Sequence, residues 1–346
     1  MEGTMKAIVK QRPGPGAVLE MIAIPRPGPR DVLVKVQVAS ICGTDLHIFN
    51  WDPWAANRIK PPLVFGHELA GEVVEVGPQV TRDIKIGDYV SAESHLTCGA
   101  CYQCQTGHSH ICQDYHILGV DFDGAFAEFV RLPEQSVWKN RPSIPPEVAS
   151  IQDPFGNALL TASSVDVTAK TVVVSGCGSI GLFAVAIARA SGARRVIAVD
   201  PNEYRLEIAG SLGASPCLNP SKDDVIAAVR HLTDGAGADF VMEMSGSPEA
   251  LVSGLKVLKN GGHLALLGIP TAPVSLNLAD DVVFKGITIH GVTGREIFGT
   301  WHKVSALLDG VVDIRKVLTH SYRLEDFEKA FALMNEGQCG KVLLYP

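Results

Sequence analysis

At 346 residues, with 46% apolar and 19% charged side chains, the chain is too long for one ordinary domain and too apolar for a disordered one. Its formal net charge of −7 argues against a nucleic-acid partner, which needs a clustered basic face. The longest apolar run, residues 182–188, falls far short of a bilayer span and ends at Arg189, and residues 1–6 lead into no apolar segment of the secretory type. A cytoplasmic protein with no membrane partner is expected, its eight cysteines to be read as metal ligands or core residues before disulfides.

Up to about residue 150, glycine, proline and short β-branched runs dominate. Residues 32–38, 71–77 and 87–90 mix apolar and polar positions as half-buried strands do, which predicts a mostly β domain with long loops. Two glycine-flanked loops in it carry chemistry: Ser40-Ile41-Cys42-Gly43-Thr44-Asp45-Leu46-His47 and Gly66-His67-Glu68. Cys42, His67 and Glu68 offer a thiolate, an imidazole and a carboxylate. Three protein ligands with a fourth position left for water or substrate is the pattern of a catalytic Zn2+ site. A lone Cys or His is more often a core residue, but two such loops together disfavour that reading.

Further on, Cys98-x2-Cys101-x2-Cys104-x7-Cys112 places four thiols in a loop-like segment. Four thiolates at about 2.3 Å close a tetrahedral shell, the pattern of a structural Zn2+ on which local folding depends. Disulfides are the alternative. His95, His108 and His110 flank the knot. Asp153, in Gln152-Asp153-Pro154, sits where the first domain hands over to the second. It suits a metal ligand, a substrate contact, or a cap for a helix beginning near Gly156.

From Thr171 short apolar strands alternate with amphipathic helices. Strands are predicted at residues 171–175, 195–200, 239–244, 262–267 and 286–291. Helices are predicted up to Arg189, from Asn202, over residues 223–232, and after the Ser247-Pro248-Glu249 start signal. The alternation implies a parallel sheet covered on both faces. Gly176-Cys177-Gly178-Ser179-Ile180-Gly181 follows the first strand and opens a helix, and the next strand ends in Asp200. That context makes it a dinucleotide site: glycines admit the pyrophosphate, the helix start offers free amides, and Asp200 suits ribose hydroxyls while repelling a 2′-phosphate. NAD is therefore favoured over NADP, although Arg205 nearby weakens the distinction. The last fifty residues hold two helical patterns, 296–308 and 324–334, and a strand at 341–345, which periodicity assigns to neither domain.

On Cys42-Gly43-Thr44-Asp45, Gly66-His67-Glu68, the cysteine lobe and the Gly176 to Gly181 loop, the chain resembles the zinc-containing medium-chain alcohol dehydrogenases over essentially its whole length. The resemblance implies an α/β protein. Its GroES-like β-rich catalytic domain would comprise residues 1–152 and 292–346, with the structural zinc lobe at about 95–114. Residues 153–291 would form a Rossmann doubly wound parallel-sheet coenzyme domain. It also implies NAD, one catalytic and one structural zinc per subunit, and a homotetramer.

Within the family, residues 45–55, 58–62, 153–158, 202–207 and 294–296, with Thr300-Trp301, are most similar to members that oxidise the secondary hydroxyl of L-threonine. A polyol or 2,3-butanediol is the alternative small-molecule substrate. Carried over by position, Cys42, His67 and Glu68 would hold the catalytic zinc with Asp153 near it, Thr44 and His47 would pass the proton, and His95 and Arg295 would lie near substrate or nicotinamide. Gly299 and His302 stand where relatives carry a glutamate and a tyrosine, and Cys177 replaces an alanine; the last change should affect only packing.

Overall fold

A computed structural model describes residues 3–270 and 272–346; Met1 and Glu2, the start of the N-terminal stretch considered above, and Thr271 lie outside the described residues. Two compact units are present. One comprises Met1–Pro154, Glu296–Asp309 and Leu318–Pro346, the other Phe155–Arg295 and Gly310–Val317. The second expected boundary, at 292, therefore lies four residues early. Residues 310–317, expected with the first domain, belong to the second unit, where Lys316 Nζ donates to the Ser211 carbonyl at 2.9 Å.

In the first unit, strand Asp31–Ser40 is the spine. It pairs antiparallel with Glu68–Val76, Phe129–Pro133 and Lys341–Tyr345, inside a seven-stranded sheet. Its alternation works as expected: Lys35 and Gln37 face solvent while Val34, Val36 and Val38 are buried. The register sets Ser40 opposite Glu68 on one side and Leu343 on the other, which brings Lys341 into the same neighbourhood. Beneath lies a core of Ile8, Val34, Phe65, Phe126 and Phe331, with Phe49 stacked on Phe331 at 4.3 Å between centroids. A small separate ribbon pairs His95–Leu96 with His116–Ile117 around the cysteine lobe.

Where a loop was expected after Ser40, the chain forms helix Gly43–Asn50, closed by Trp51 in the left-handed region, and then helix Pro53–Arg58. The second has the Asp-Pro start that favours a helix, with the Asp52 carboxylate capping the Ala55 amide at 2.9 Å. Likewise Asp153 lies inside helix Gln152–Ala162 and does not cap one starting near Gly156. The helix expected from residue 296 begins at Gly299, because Phe298 sits at φ +60°, a conformation that cannot continue a helix.

The second unit holds a six-stranded, all-parallel sheet. In spatial order its strands are Cys217–Leu218, Arg195–Val199, Thr171–Ser175, Ala238–Glu243, Leu258–Leu266 and Thr288–Gly291. In chain numbering this is 3-2-1-4-5-6, the doubly wound order, with its switch point beside Thr171–Ser175. Three of its helices start on side-chain caps legible in the sequence: Asn202 for Glu203–Ser211, Asp224 for Val225–Leu232 and Ser247 for Pro248–Val257.

Candidate active site

Cys42 is the N-cap of helix Gly43–Asn50, and its amide is held by Asp45 Oδ2 at 2.8 Å. His67 immediately precedes strand Glu68–Val76. The turn before it needs Gly66, at φ +90°, where a Cβ would lie 2.4 Å from the Phe126 ring. These two supports bring the ligand atoms of Cys42, His67 and Glu68 within 4.8 Å of one another. Asp45 Oδ1 and His67 Nδ1 face each other at 3.5 Å, while the buried Glu68 Oε1 has no hydrogen-bond partner. Native interiors rarely leave such an oxygen unsatisfied, so a thiol, an imidazole and a carboxylate converging beside it fit a zinc ion.

Charges around the cluster are tightly linked. Burial works against a charged His67 ring, but Asp45, at 3.5 Å, and Cys42 outweigh it and hold the imidazole well above its ordinary value. Burial raises Glu68, opposed by Lys341 and His67 and reinforced by Asp153, so Asp153 lies within the cluster's field. Glu68 Oε2 accepts from Lys341 Nζ at 2.6 Å and from Ser40 Oγ, which leaves Oε1 as the oxygen without a hydrogen-bond partner. Lys341 is itself raised: burial opposes its charge, and Glu68 more than compensates.

Thr44 Oγ1 lies 3.8 Å from the Cys42 thiol. One turn further along the same helix, His47 is exposed, and its Nδ1 sits 2.6 Å from Asp52 Oδ2. Partial burial tends to raise Asp52, but the Ala55 amide and His47 overcome it and hold the carboxyl below its usual range. His95 belongs to the same unit; its Nδ1 is 3.1 Å from the buried Glu93 carboxylate, whose other oxygen accepts the Trp301 indole N–H at 2.7 Å. Arg295 belongs to the second unit, where it is buried and donates to Asn157 Oδ1 at 3.1 Å.

The four cysteines at 98, 101, 104 and 112 also converge within 4.8 Å. Their sulfurs stand 3.5 to 3.8 Å apart where they touch, and all eight cysteines are free thiols. Backbone amides point at them, from Cys98 and Asp114 to Cys112 Sγ and from Cys101 to Cys98 Sγ, each at 3.4 Å. Amide donors of this kind stabilise thiolates, and those of Gln113 and Cys104 bring Cys101 down to about 6. The arrangement fits a closed four-thiolate metal shell.

In the second unit, a cavity of about 530 Å³ opens at the carboxyl ends of the strands, lined by Gly176, Gly178, Asp200, Arg205, Met244 and Ser245 among others. Gly181 closes the loop onto its own strand: a Cβ there would meet the Gly176 carbonyl at 1.9 Å. A Cβ on Gly178, the N-cap of helix Ser179–Ala190, would meet nothing within 4 Å, so the loop leaves open space before the helix amides, the cradle a diphosphate needs. Asp200 also braces that loop. Its Oδ2 accepts the Cys177 amide at 2.6 Å and its Oδ1 the Asn202 amide at 2.8 Å. Arg205 Nε is a buried donor without a partner beside this cavity.

Sequence reasoning assigned no supporting role to Lys341, Ser40, Asp45, Asp52, Glu93, Trp301 or Asn157. Asp45, three residues after Cys42, Asp52, in an Asp-Pro helix start, and Glu93, two residues before His95, had local signals; the others meet their partners through sheet pairing or long-range packing.

Comparison with known proteins agrees with this geometry. Residues 28–145 match the alcohol dehydrogenase GroES-like domain and residues 179–310 the zinc-binding dehydrogenase family. An L-threonine 3-dehydrogenase of Bacillus licheniformis is 51% identical over the full length of both chains. That of Symbiobacterium thermophilum is 52% identical over all of this chain and 99% of its own. Among solved structures, a putative zinc-binding dehydrogenase from Sinorhizobium meliloti bound to NADP superposes with a TM-score of 0.92 at 28% identity, covering 99% of this chain and 100% of that one.

Proposed function

The chain belongs to the zinc-containing medium-chain alcohol dehydrogenases, of the threonine-dehydrogenase type, and on that premise we propose that it oxidises the secondary hydroxyl of L-threonine to 2-amino-3-ketobutyrate with NAD. The observation that carries the chemistry is the convergence of Cys42, His67 and Glu68, with the buried Glu68 Oε1 left without a partner. Full-length identity near one half to curated threonine dehydrogenases supports the substrate.

Zinc held by Cys42, His67 and Glu68 would supply Lewis-acid polarisation of the substrate hydroxyl, and NAD the hydride acceptor. The chain's own side chains do the remaining work. Thr44, next to Cys42, accepts the hydroxyl proton while handing on its own, and His47, exposed and oriented by Asp52, is the group from which the relayed proton leaves to solvent. A zwitterionic substrate needs both signs of charge: in the first unit His95 is the group for the carboxylate and Asp153 the group for the ammonium. In the second unit, Gly176, Gly178, Ser179, Ile180 and Gly181 take the pyrophosphate and Asp200 the ribose hydroxyls, whose carboxylate charge disfavours NADP. Cys98, Cys101, Cys104 and Cys112 hold the structural zinc.

We further propose a cytoplasmic homotetramer. The edge strand Thr288–Gly291 leaves one side unpaired in its sheet, and Ile269, Phe284 and Val283 nearby in the chain are more than two-thirds exposed. An open sheet edge with apolar neighbours is the kind of surface a second copy covers. Among the described residues no helix is long and apolar enough to cross a membrane.

The test is NADH formation by purified protein with L-threonine, sorbitol and 2,3-butanediol, with and without a chelator. Threonine oxidation abolished by chelation is expected. A clear rate with a polyol and none with threonine would overturn the substrate assignment.

A further inference from the structure

Three imidazoles in the first unit each have a carboxylate behind them. Asp45 stands behind His67 and Asp52 behind His47, and the proposed reaction uses both pairs. Glu93 stands behind His95, and nothing in the metal shell or the proton path accounts for it.

Glu93 is unusually well fixed. It directly follows strand Tyr89–Ala92, and its amide donates to the Ser136 carbonyl at 2.8 Å. Its carboxylate is 1% exposed. Oε2 accepts the indole N–H of Trp301, a side chain equally buried in helix Gly299–Leu308. Oε1 accepts the His95 backbone amide at 2.9 Å and faces His95 Nδ1 at 3.1 Å. Main chain and ring are thus tied to the same oxygen, while the Tyr115 ring lies 5.7 Å from the imidazole centroid. A carboxylate can only accept, so the proton between them belongs to Nδ1. The ring is thereby held in one orientation, with Nε2 directed away from Glu93.

We propose that Glu93, anchored by Trp301, is the positioning residue that sets the orientation and protonated nitrogen of His95, and through it the recognition of a carboxylate-bearing substrate. The inference rests on the reading of His95 as a substrate contact given above. A carboxylate behind a histidine fixes its tautomer as it does behind metal-bound histidines, where the loss of such a partner weakens function without removing the functional group. A burial of Glu93 that served only to hold Trp301 would leave the ring's behaviour independent of it.

The experiment compares the unaltered protein with Glu93→Gln and Trp301→Phe. Glutamine keeps the shape but has one oxygen; with that oxygen on the Trp301 indole, its amide N–H2 faces His95 Nδ1 and makes it an acceptor, while the His95 main-chain amide loses its acceptor. In protein labelled with carbon-13 histidine, the His95 resonance, assigned by its loss in His95→Asn, should carry the Nδ1-protonated signature and shift towards the other tautomer in Glu93→Gln. The KM for L-threonine should rise about tenfold, the weight of one weakened charge-assisted hydrogen bond, with the KM for 2,3-butanediol moving less than about twofold. Trp301→Phe should shift both readouts in the same sense, by less. An unchanged His95 signature in Glu93→Gln, or equal KM increases for the two substrates, would overturn the proposal. Inactivity of the unaltered protein on threonine would instead refute the proposed function, and the tautomer measurement would then decide the positioning by itself.

Discussion

Asp200 braces the glycine loop, and we propose that it also meets the cofactor ribose; replacing it by asparagine tests both roles. The carboxylate is buried, and each oxygen already accepts a backbone amide, that of Cys177 in the glycine loop and that of Asn202 at the start of the next helix. Asparagine supplies one oxygen, so one of the two amides must face an N–H2 group. A charge-assisted hydrogen bond contributes about 1.5–3 kcal/mol, and a buried donor left unmatched costs about 1–3 kcal/mol. We take about 2–4 kcal/mol as the loss, which for a domain of this size lowers the thermal midpoint by roughly 4–16 °C. The assay is calorimetry of the cofactor-free protein beside NADH binding followed by fluorescence. Affinity for NADH should fall together with the midpoint, and NADP should gain nothing, because the loop that cradles the pyrophosphate is loosened whichever ribose is offered. A cofactor-free midpoint within about 1 °C of the original, with NADH binding still lost, would show that Asp200 acts on the ribose alone and refute the bracing role.

Two further perturbations probe the charges of the first unit. Lys341→Met removes one member of a buried ion pair and strands Glu68; urea denaturation should show a loss of about 3–5 kcal/mol, largely restored when Glu68→Gln is added, whereas additive losses would mean the pair is not coupled. Lys10 is brought down by burial from the usual lysine range to about 8, while its Nζ donates to the carbonyls of Gly14, Gly16 and Phe49. Its folded value is the lower one, so between about pH 8 and 10.5 the unfolded chain holds more protons and stability should rise with pH through that window. Lys10→Met should lack this rise, and parallel stability curves for the two proteins would contradict it.

The second unit could be read from sequence because each of its signals is local. A β-branched run marks the strand Thr171–Ser175, an Asn, Asp or Ser cap marks the starts of helices Glu203–Ser211, Val225–Leu232 and Pro248–Val257, and the glycine loop sits between strand and helix within a dozen residues. In the first unit the stretches whose side chains converge were equally visible, since Cys42-Gly43-Thr44 and Gly66-His67-Glu68 are contiguous. Helix Gly43–Asn50 was not, because eight residues that begin with glycine and threonine have little helical preference of their own; it gains its stability from Phe49 stacked on Phe331, near the far end of the chain.

The same reasoning explains why the supporting groups escaped notice. A catalytic side chain is recognisable by its type and its neighbours in sequence, whereas the residue that holds it in place is recognisable only by its neighbours in space. Ser40 meets Glu68 because two strands pair in one register, and Lys341 reaches the same carboxylate from the strand on the other side of Ser40. A one-residue slip of either pairing would turn those side chains to the opposite face of the sheet and leave Glu68 with neither partner. The register of strand Asp31–Ser40 is thus a condition of the metal site as well as of the core, and substitutions that disturb it, such as a side chain at Gly71, where a Cβ would lie 2.3 Å from the Lys35 carbonyl, should damage zinc retention even though they touch no ligand.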